Sequence, residues 1–363
     1  LPSAMSLVKD PRVVRTRKHP LVNILVIAML GTIADCDGWD DLEEWAEEQH
    51  EWLGTFLDLT NGTPSADTIR RVFEALNRSV FAEAFTAWVR SFCPGGGSGK
   101  TVALDGKAMR GTACPSRSLR ALHVVHAWCV EDRLLLGQLD TDSKSNETTT
   151  VPDLLTALDL EGVTVTGDAA NTFRSIAQQI IDQKGDYALA VRGNQPRLEE
   201  QIVLHFAPHV NAEVMPEGIA RHVELREGHG RVVEQTVWVA SASALEDQER
   251  WAGAKTIVYV RSRRVEAKKS VEEWRPYLSS REGLSPAQFL GLIRSHWSVE
   301  NNLHWQLDVS FHEDAIRIRD RNAAVNLSLL RAIALGMLKR ETSNERGIDA
   351  KRKKASRSIP YLL

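Results

Sequence analysis

Glu300, His304 and Asp308 stand four residues apart in the stretch His296-Trp297-Ser298-Val299-Glu300-Asn301-Asn302-Leu303-His304-Trp305-Gln306-Leu307-Asp308. On a helix, residues four apart share a face, so an acid, an imidazole and a second acid would line up there, flanked by Trp297 and Trp305. Such a face could point at a metal ion or a phosphate. An amphipathic helix that anchors two tryptophans in a core would show the same pattern. Two upstream segments bear on the choice. Thr101-Val102-Ala103-Leu104-Asp105-Gly106-Lys107 and Val163-Thr164-Val165-Thr166-Gly167-Asp168-Ala169 are both short β-type runs that end in an acid. A strand ending in Asp delivers a carboxylate to the carboxyl edge of a sheet, where open α/β sheets bind ligands. One such Asp often only caps the next helix. Two of them with a helical Glu make a set of hard oxygen donors suited to Mg²⁺ or Mn²⁺.

The elements that must position these acids can be read from periodicity and turn signals. From residue 101 the pattern predicts strands over 101–105, 122–130 and 133–140, with a hairpin turn near Glu131-Asp132. A helix over about 147–159, a strand over 163–168, a helix over 172–184 and a strand over 186–191 follow. Three strands, helix, strand, helix, strand is the ribonuclease-H order, in which the first and fourth strands are neighbours. That order would bring Asp105 beside Asp168. Residues 196–280 carry β-type runs at 221–226, 231–239, 254–261 and 274–279 and are expected to form a mostly β insertion. Helices are expected near 286–306 and 322–340.

Residues 1–93 are expected to be all-helical. Pro20 opens an apolar helix near 21–34, and an acidic helix with Trp39, Trp45 and Trp52 on its buried side covers about 38–58. Thr63-Pro64-Ser65 starts a helix at 66–77 that turns Arg70 and Arg71 outward, either into a DNA groove or into solvent. Pro94 to Lys100 reads as a linker. Its GGGSGKT string is not a phosphate-binding loop: Pro94 stands where glycine is required, and the string follows a helix and opens a strand. A basic tail covers 341–363.

Composition narrows the class. The 363 residues are 43% hydrophobic and 26% charged, as in ordinary soluble proteins of two or more domains. A net charge of −3 means that any binding of DNA would rely on local basic patches. Cys36, Cys93, Cys114 and Cys129 show no metal spacing and suit free thiols in a reducing cytoplasm. The apolar run Leu21–Ile33 is too short for a membrane span.

With these residues placed, the chain resembles DDE insertion-sequence transposases of the H-repeat-associated group. The resemblance runs from about Asp10 to Tyr361. It rests on Asp10-Pro11-Arg12 with His19-Pro20-Leu21, Ser65 to Arg71, Leu104-Asp105-Gly106-Lys107, Asp142-Ser143-Lys144-Ser145-Asn146-Glu147, Gly193-Asn194-Gln195, Gly228-His229-Gly230-Arg231 and the block His296 to Asp314. It implies an α/β, ribonuclease-H-like mixed-sheet core (101–195 and 281–340) with the β insertion placed before the final acid. It makes Asp105, Asp168 and Glu300 the catalytic acids and the metal ligands, holding two Mg²⁺ or Mn²⁺ ions about 3.5–4 Å apart. The implied activity is cleavage and strand transfer at transposon ends, acting on double-stranded DNA as a homodimer on that DNA, in the bacterial cytoplasm at the nucleoid. A nuclease that cuts without joining, or a DNA-binding relative without chemistry, would share the same residues. The pattern departs from better-known transposases with β insertions: Ile293, His296 and Leu307 stand where those place Tyr, Arg and Lys.

Further residues are candidates around that core. His296 could touch the scissile phosphate or orient Glu300, and His304 could contact DNA; either could instead be a histidine packed beside tryptophan. Lys107, Lys144, Arg192 and Arg231 are candidate phosphate contacts. The basic lead-in (Lys9, Arg12, Arg15, Arg17, Lys18) and the tail would bind backbone phosphates, or be solvated charge. Trp238 could stack on an unpaired base or sit in a core.

Overall fold

The computed structural model describes residues 8–90, 98–141, 147–228, 231–266 and 269–362. It is a mixed α/β fold with a nine-stranded sheet in the order β3-β2-β1-β4-β5-β9-β8-β7-β6. The strands are β1 (Thr101–Met109), β2 (Leu122–Cys129), β3 (Leu134–Thr141), β4 (Thr164–Gly167), β5 (Asp186–Ala190), β6 (Ile219–Gly228), β7 (Arg231–Ser241), β8 (Thr256–Glu266) and β9 (Lys269–Ser279). The first five follow the ribonuclease-H order. The chain divides into two compact units, with β1 passing from one into the other after Asp105.

The first unit comprises 1–96, 106–146 and 299–363. Its helices are α1 (Leu21–Ile33), α2 (Trp39–Glu48), α3 (Ala66–Ala75) and α4 (Arg78–Arg90). The acidic helix expected over 38–58 breaks after Glu48 and resumes as a single turn, His50–Leu53. Ser65 caps α3 by accepting from the Thr68 amide. The α-helix Arg321–Arg340 is the axis of this unit and packs against α1, α3, α4 and β3. It is buried on nearly every face, which its run of Ala, Leu, Ser and Gly permits. Strand β2 is buried along its whole length, as its near-continuous apolar sequence requires.

The second unit comprises 97–105 and 147–298. Helices α5 (Glu147–Thr156), α6 (Arg174–Asp182), α7 (Pro196–Phe206) and α8 (Pro286–His296) belong to it. Strands β4 and β5 run parallel, and β9 joins β5 antiparallel through Ala188↔Ser279 to Ala190↔Tyr277. The region expected as an insertion therefore continues the core sheet through β9, β8, β7 and β6. Helix α8 starts at a Ser285/Gln288 capping box and packs Phe289, Leu290 and Ile293 on Val237, Val258, Val260 and Tyr277. Trp238 lies in this sheet with no exposed surface and stacks on Trp274 at 5.9 Å, so it serves the core and has no face for a base.

In the first unit α9 (Trp305–Val309), α10 (Arg321–Arg340) and α11 (Ile348–Arg357) follow the last acid. The expected basic tail is thus a folded helix. Arg352 has no exposed surface: its guanidinium donates to the carbonyls of Thr32, Cys36 and Ser310 and pairs with Asp35 at 3.2 Å and Asp37 at 3.0 Å. Lys351 is likewise buried, donating to the Leu338 carbonyl at 2.8 Å. These two cations neutralise the interior, because a buried charge must find partners. In the lead-in, Arg12 is held by Asp10 at 2.8 Å and by the His19 carbonyl at 2.8 Å. Lys9, Arg15 and Lys18 are exposed.

Candidate active site

Within the second unit, β1 and β4 are parallel neighbours whose register runs from Thr101↔Thr164 to Leu104↔Gly167. Asp105 is the next residue of β1, and Asp168 is the residue just past the end of β4. Asp105 does not end its strand, as the sequence suggested; β1 continues to Met109, and Asp105 marks where its pairing with β4 stops. Both acids are half-buried. Asp168 also caps a turn: its Oδ1 accepts from the Asn171 amide at 3.2 Å and from Asn171 Nδ2 at 2.9 Å. The loop that follows is braced from the far side of β5. Asn194 Nδ2 donates to the Ala169 carbonyl at 2.5 Å and the Thr172 carbonyl at 3.2 Å, and Gln195 Nε2 donates to the same Thr172 carbonyl at 3.0 Å. The Gly193-Asn194-Gln195 string therefore positions Asp168, a role that no periodicity in the sequence expresses.

Thr166 lies two residues before Asp168 and so on the same side of β4. Its hydroxyl meets His296 Nδ1 at 3.2 Å. His296 ends α8 on the same side of the sheet as that strand face. Trp297 beside it is exposed at its edge and lies under the Arg275 guanidinium at 4.2 Å. Arg192, just past β5, is exposed.

In the first unit, Glu300 to His304 form one turn of π-helix ahead of α9. The wider turn of a π segment rotates everything after it relative to an α-helix, and such turns collect at functional sites. The expected single face of Glu300, His304 and Asp308 is accordingly split. His304 Nδ1 meets Glu300 Oε2 at 3.2 Å, whereas Asp308 turns to Lys107 at 2.7 Å. The Glu300 side chain is largely exposed, while His304 is only 4% exposed. The hydrogen bond from His304 pulls the Glu300 carboxyl below its usual range, outweighing its partial burial. Ligand atoms of Glu300 and His304 lie within 4.8 Å of each other, a spacing that could hold a metal ion.

Lys107 was expected at a DNA phosphate. Instead, its ammonium is 5% exposed and sits among Asp308 at 2.7 Å, Glu313 at 2.9 Å and Asp314 at 3.7 Å. Burial works against the ammonium, and the Glu313 and Asp308 carboxylates more than reverse it, so its pKa is raised. Burial likewise works against the Glu313 carboxylate, and Lys107 and then Arg331 hold it below the ordinary value. Arg70 is paired with Asp67 and with Glu74 at 2.6 Å, and Arg71 with Asp67 at 2.8 Å; both side chains keep a solvent-facing surface. Lys144 and the side chain of Arg231 lie outside the described residues.

Sequence reasoning missed His126. It stands on β2, fully buried, with Nδ1 at 3.1 Å from His304 Nε2 and Nε2 at 3.1 Å from Gln138 Oε1. Its only sequence signal is a histidine inside an otherwise apolar strand.

Residues 96–337 match the family described as "Transposase DDE domain", and residues 3–89 match the one described as "DDE_Tnp_1-associated". The chain belongs to the transposase DDE domain family. It is 34% identical to "Putative transposase YncI" of Escherichia coli O157:H7, over 99% of this chain and 92% of that protein. It is also 34% identical to "H repeat-associated putative transposase YhhI" of Escherichia coli strain K12, over 99% of this chain and 95% of that protein. Transposases of this type generally work with divalent ions and DNA. Carboxylate oxygens with one imidazole nitrogen are donors that suit Mg²⁺ or Mn²⁺. Among the described residues, no helix is long and apolar enough to cross a membrane.

Proposed function

We propose that this chain cuts DNA at the ends of an insertion sequence and joins the freed ends to target DNA, with Asp105, Asp168 and Glu300 as the metal-holding acids. The observation that supports the reading is the parallel register of β1 and β4, after whose last pair, Leu104↔Gly167, Asp105 and Asp168 each come next in the chain, in a transposase-family domain. A divalent ion held there would polarise the scissile phosphodiester and make water, or a DNA 3′-hydroxyl, a better nucleophile.

The chain's own residues do the rest. The Asn171 amides keep one oxygen of Asp168 occupied and so fix its rotamer, and Asn194 and Gln195 stiffen the loop beneath it. His304 holds Glu300 ionised. His296, anchored on Thr166, is the residue we place beside the scissile phosphate. In the first reaction water attacks phosphorus and the P–O3′ bond breaks, leaving a 3′-hydroxyl and a 5′-phosphate. In the second that 3′-hydroxyl attacks a target phosphodiester and displaces the target's own 3′-oxygen. One P–O bond forms as another breaks, so strand joining needs no outside energy source. Exposed Arg192, and Arg70 and Arg71 on α3, are the candidate backbone contacts, together with Lys144 and Arg231. Pairing two ends would call for a homodimer on the DNA.

The test is a strand-transfer assay with end DNA and Mg²⁺. Asp105→Asn, Asp168→Asn and Glu300→Gln should each abolish cutting and joining while a mobility shift with the same DNA persists. Cutting without joining by the unaltered chain would make it a nuclease. Retained cutting by any one variant would remove that residue from the set.

A further inference from the structure

Within the first unit, the loop joining β1 to β2 and the segment that leads into α10 are fastened to each other. Arg319 Nη1 donates to the Gly111 carbonyl at 2.7 Å and to the Ala113 carbonyl at 2.6 Å. The Arg110 amide donates to Asp314 Oδ1 at 2.8 Å. A Cβ on Gly111 would run into the carbonyl oxygens of Asp314 and Ile316, so glycine is what lets the two backbones come this close. Met109, Leu122, Val124, Ala324 and Val325 form a buried cluster there, and Ile318 packs against it. The loop is closed by reciprocal backbone hydrogen bonds between Cys114 and Leu119, at 2.9 and 3.0 Å. It turns at Ser118 with a φ of 55°, a left-handed conformation that residues with a Cβ seldom adopt. Between the two fastened segments lies a cleft of about 240 Å³ with Leu122 and Ile318 in its lining.

The charge of this cleft is one-sided. The guanidiniums of Arg120, Arg319 and Arg321 line it, against the single carboxylate of Asp320. That carboxylate is committed to the start of α10, where it accepts from the Ala323 amide at 2.9 Å. Among the described residues, no carboxylate lies within ion-pair distance of Arg120 or Arg319, nor of the exposed Arg117 and Arg317 next to them in sequence. Exposed arginines elsewhere do have one: Arg71 pairs at 2.8 Å, Arg197 at 3.1 Å and Arg226 at 2.6 Å. Like charges gathered in a cleft repel one another and focus a positive potential, which an anion from outside relieves. The planar fork of a guanidinium matches phosphate oxygens. We propose that the cleft seats a backbone phosphate of duplex DNA, with Arg120 and Arg321 as the contacts. Arg319 fastens the walls and adds its charge. This rests on the DNA reading above and adds to it contacts that the sequence did not single out. A phosphate is common to every sequence, so the cleft would anchor a duplex without reading it.

The test titrates the full chain onto labelled duplexes without divalent metal, from about 50 to 200 mM salt. Arg120→Gln and Arg321→Gln should each lower the salt slope by about one and weaken binding about tenfold at 0.1 M salt; together they should lower the slope by about two. The loss should be equal for end DNA and for a scrambled duplex. Arg120→Lys, which keeps the charge, should keep the slope and so separates a lost contact from a damaged fold. An unchanged slope in the double variant, while the unaltered chain binds DNA, would overturn the inference and leave the cutting reading standing. A loss confined to end DNA would also overturn it, since the arginines would then be reading bases. Inorganic phosphate or a mononucleotide that binds the unaltered chain but not the double variant, with duplex affinity unmoved, would give the cleft to a small anion instead. A slope change with duplex RNA and none with duplex DNA would likewise overturn the DNA assignment. No binding of any DNA by the unaltered chain would sink the inference and the cutting reading together.

Discussion

Replacing Lys107 by methionine separates two roles that a basic residue next to a catalytic strand can play. Methionine has about the right length and keeps the apolar stem packed, so the change removes mainly the ammonium. Glu313, whose side chain has no exposed surface, would lose the partner 2.9 Å away. Asp308, about one-third exposed, would lose its partner too but can turn to water. Breaking a buried pair from one side costs about 3–5 kcal/mol, because the remaining charge is left uncompensated. Arg331, which also favours the ionised Glu313, puts the expectation at the lower end. Each 1.4 kcal/mol is tenfold in an equilibrium constant, so about 3 kcal/mol shifts the folded-to-unfolded ratio roughly a hundredfold. Urea unfolding followed by hydrogen exchange of the Gly106–Met109 amides would read this in the unit concerned. A second change, Glu313→Gln in the Lys107→Met background, should recover most of the loss by removing the stranded charge. The pH dependence has a definite sign. Glu313 is held below its ordinary 4.5, so its share is present above that value and is lost as pH falls through the folded-state pKa. Lys107 is raised above its ordinary 10.5, so its share is present below that value and is lost as pH rises through the folded-state pKa. The contribution is therefore full between those limits. The reasoning fails if Lys107→Met costs less than about 1 kcal/mol while the salt slope of DNA binding drops by about one, the signature of a lost phosphate contact.

The remaining expectations are of the same kind. Arg352→Met should destabilise the chain by about 3–5 kcal/mol with an unchanged salt slope for DNA binding, because its guanidinium serves buried carbonyls and Asp35 and Asp37. Asn194→Ala should slow DNA cutting about tenfold while DNA affinity holds, since it frees the loop behind Asp168 without touching the acid; an unchanged rate would exclude the bracing role. Alkylation with iodoacetamide, followed by mass spectrometry, should label Cys114 well before Cys36 or Cys129. Burial pushes both of the latter up to about 12, whereas the bond to Ser116 lowers Cys114.

Much of the architecture was legible because it follows from periodicity. The β-type runs around 101–105 and 163–168, with helices and turns between them, led to the ribonuclease-H order, and β1 does pair with β4. Helix boundaries marked by Ser65 and Ser285 were legible because a capping hydroxyl is a local device. The turn of π-helix at Glu300 was not legible, since it differs from an α turn only in how the chain closes on its neighbours. Nor was the length of β1, whose second half carries Lys107 to a set of carboxylates some two hundred positions further on.

The chemistry proposed above, then, was readable in the linear order: acids at strand positions, a helical Glu, and motifs shared with a transposase family. Which charged residues face inward was decided by folding alone. Lys107, Lys351 and Arg352 look like Arg192 or Arg71 in a string of letters, and they differ only in what lies around them once the chain has closed. The same is true of His126, which folding buries between Gln138 of the next strand and His304. Charge and tautomer are properties of an environment, and no environment exists until distant segments meet.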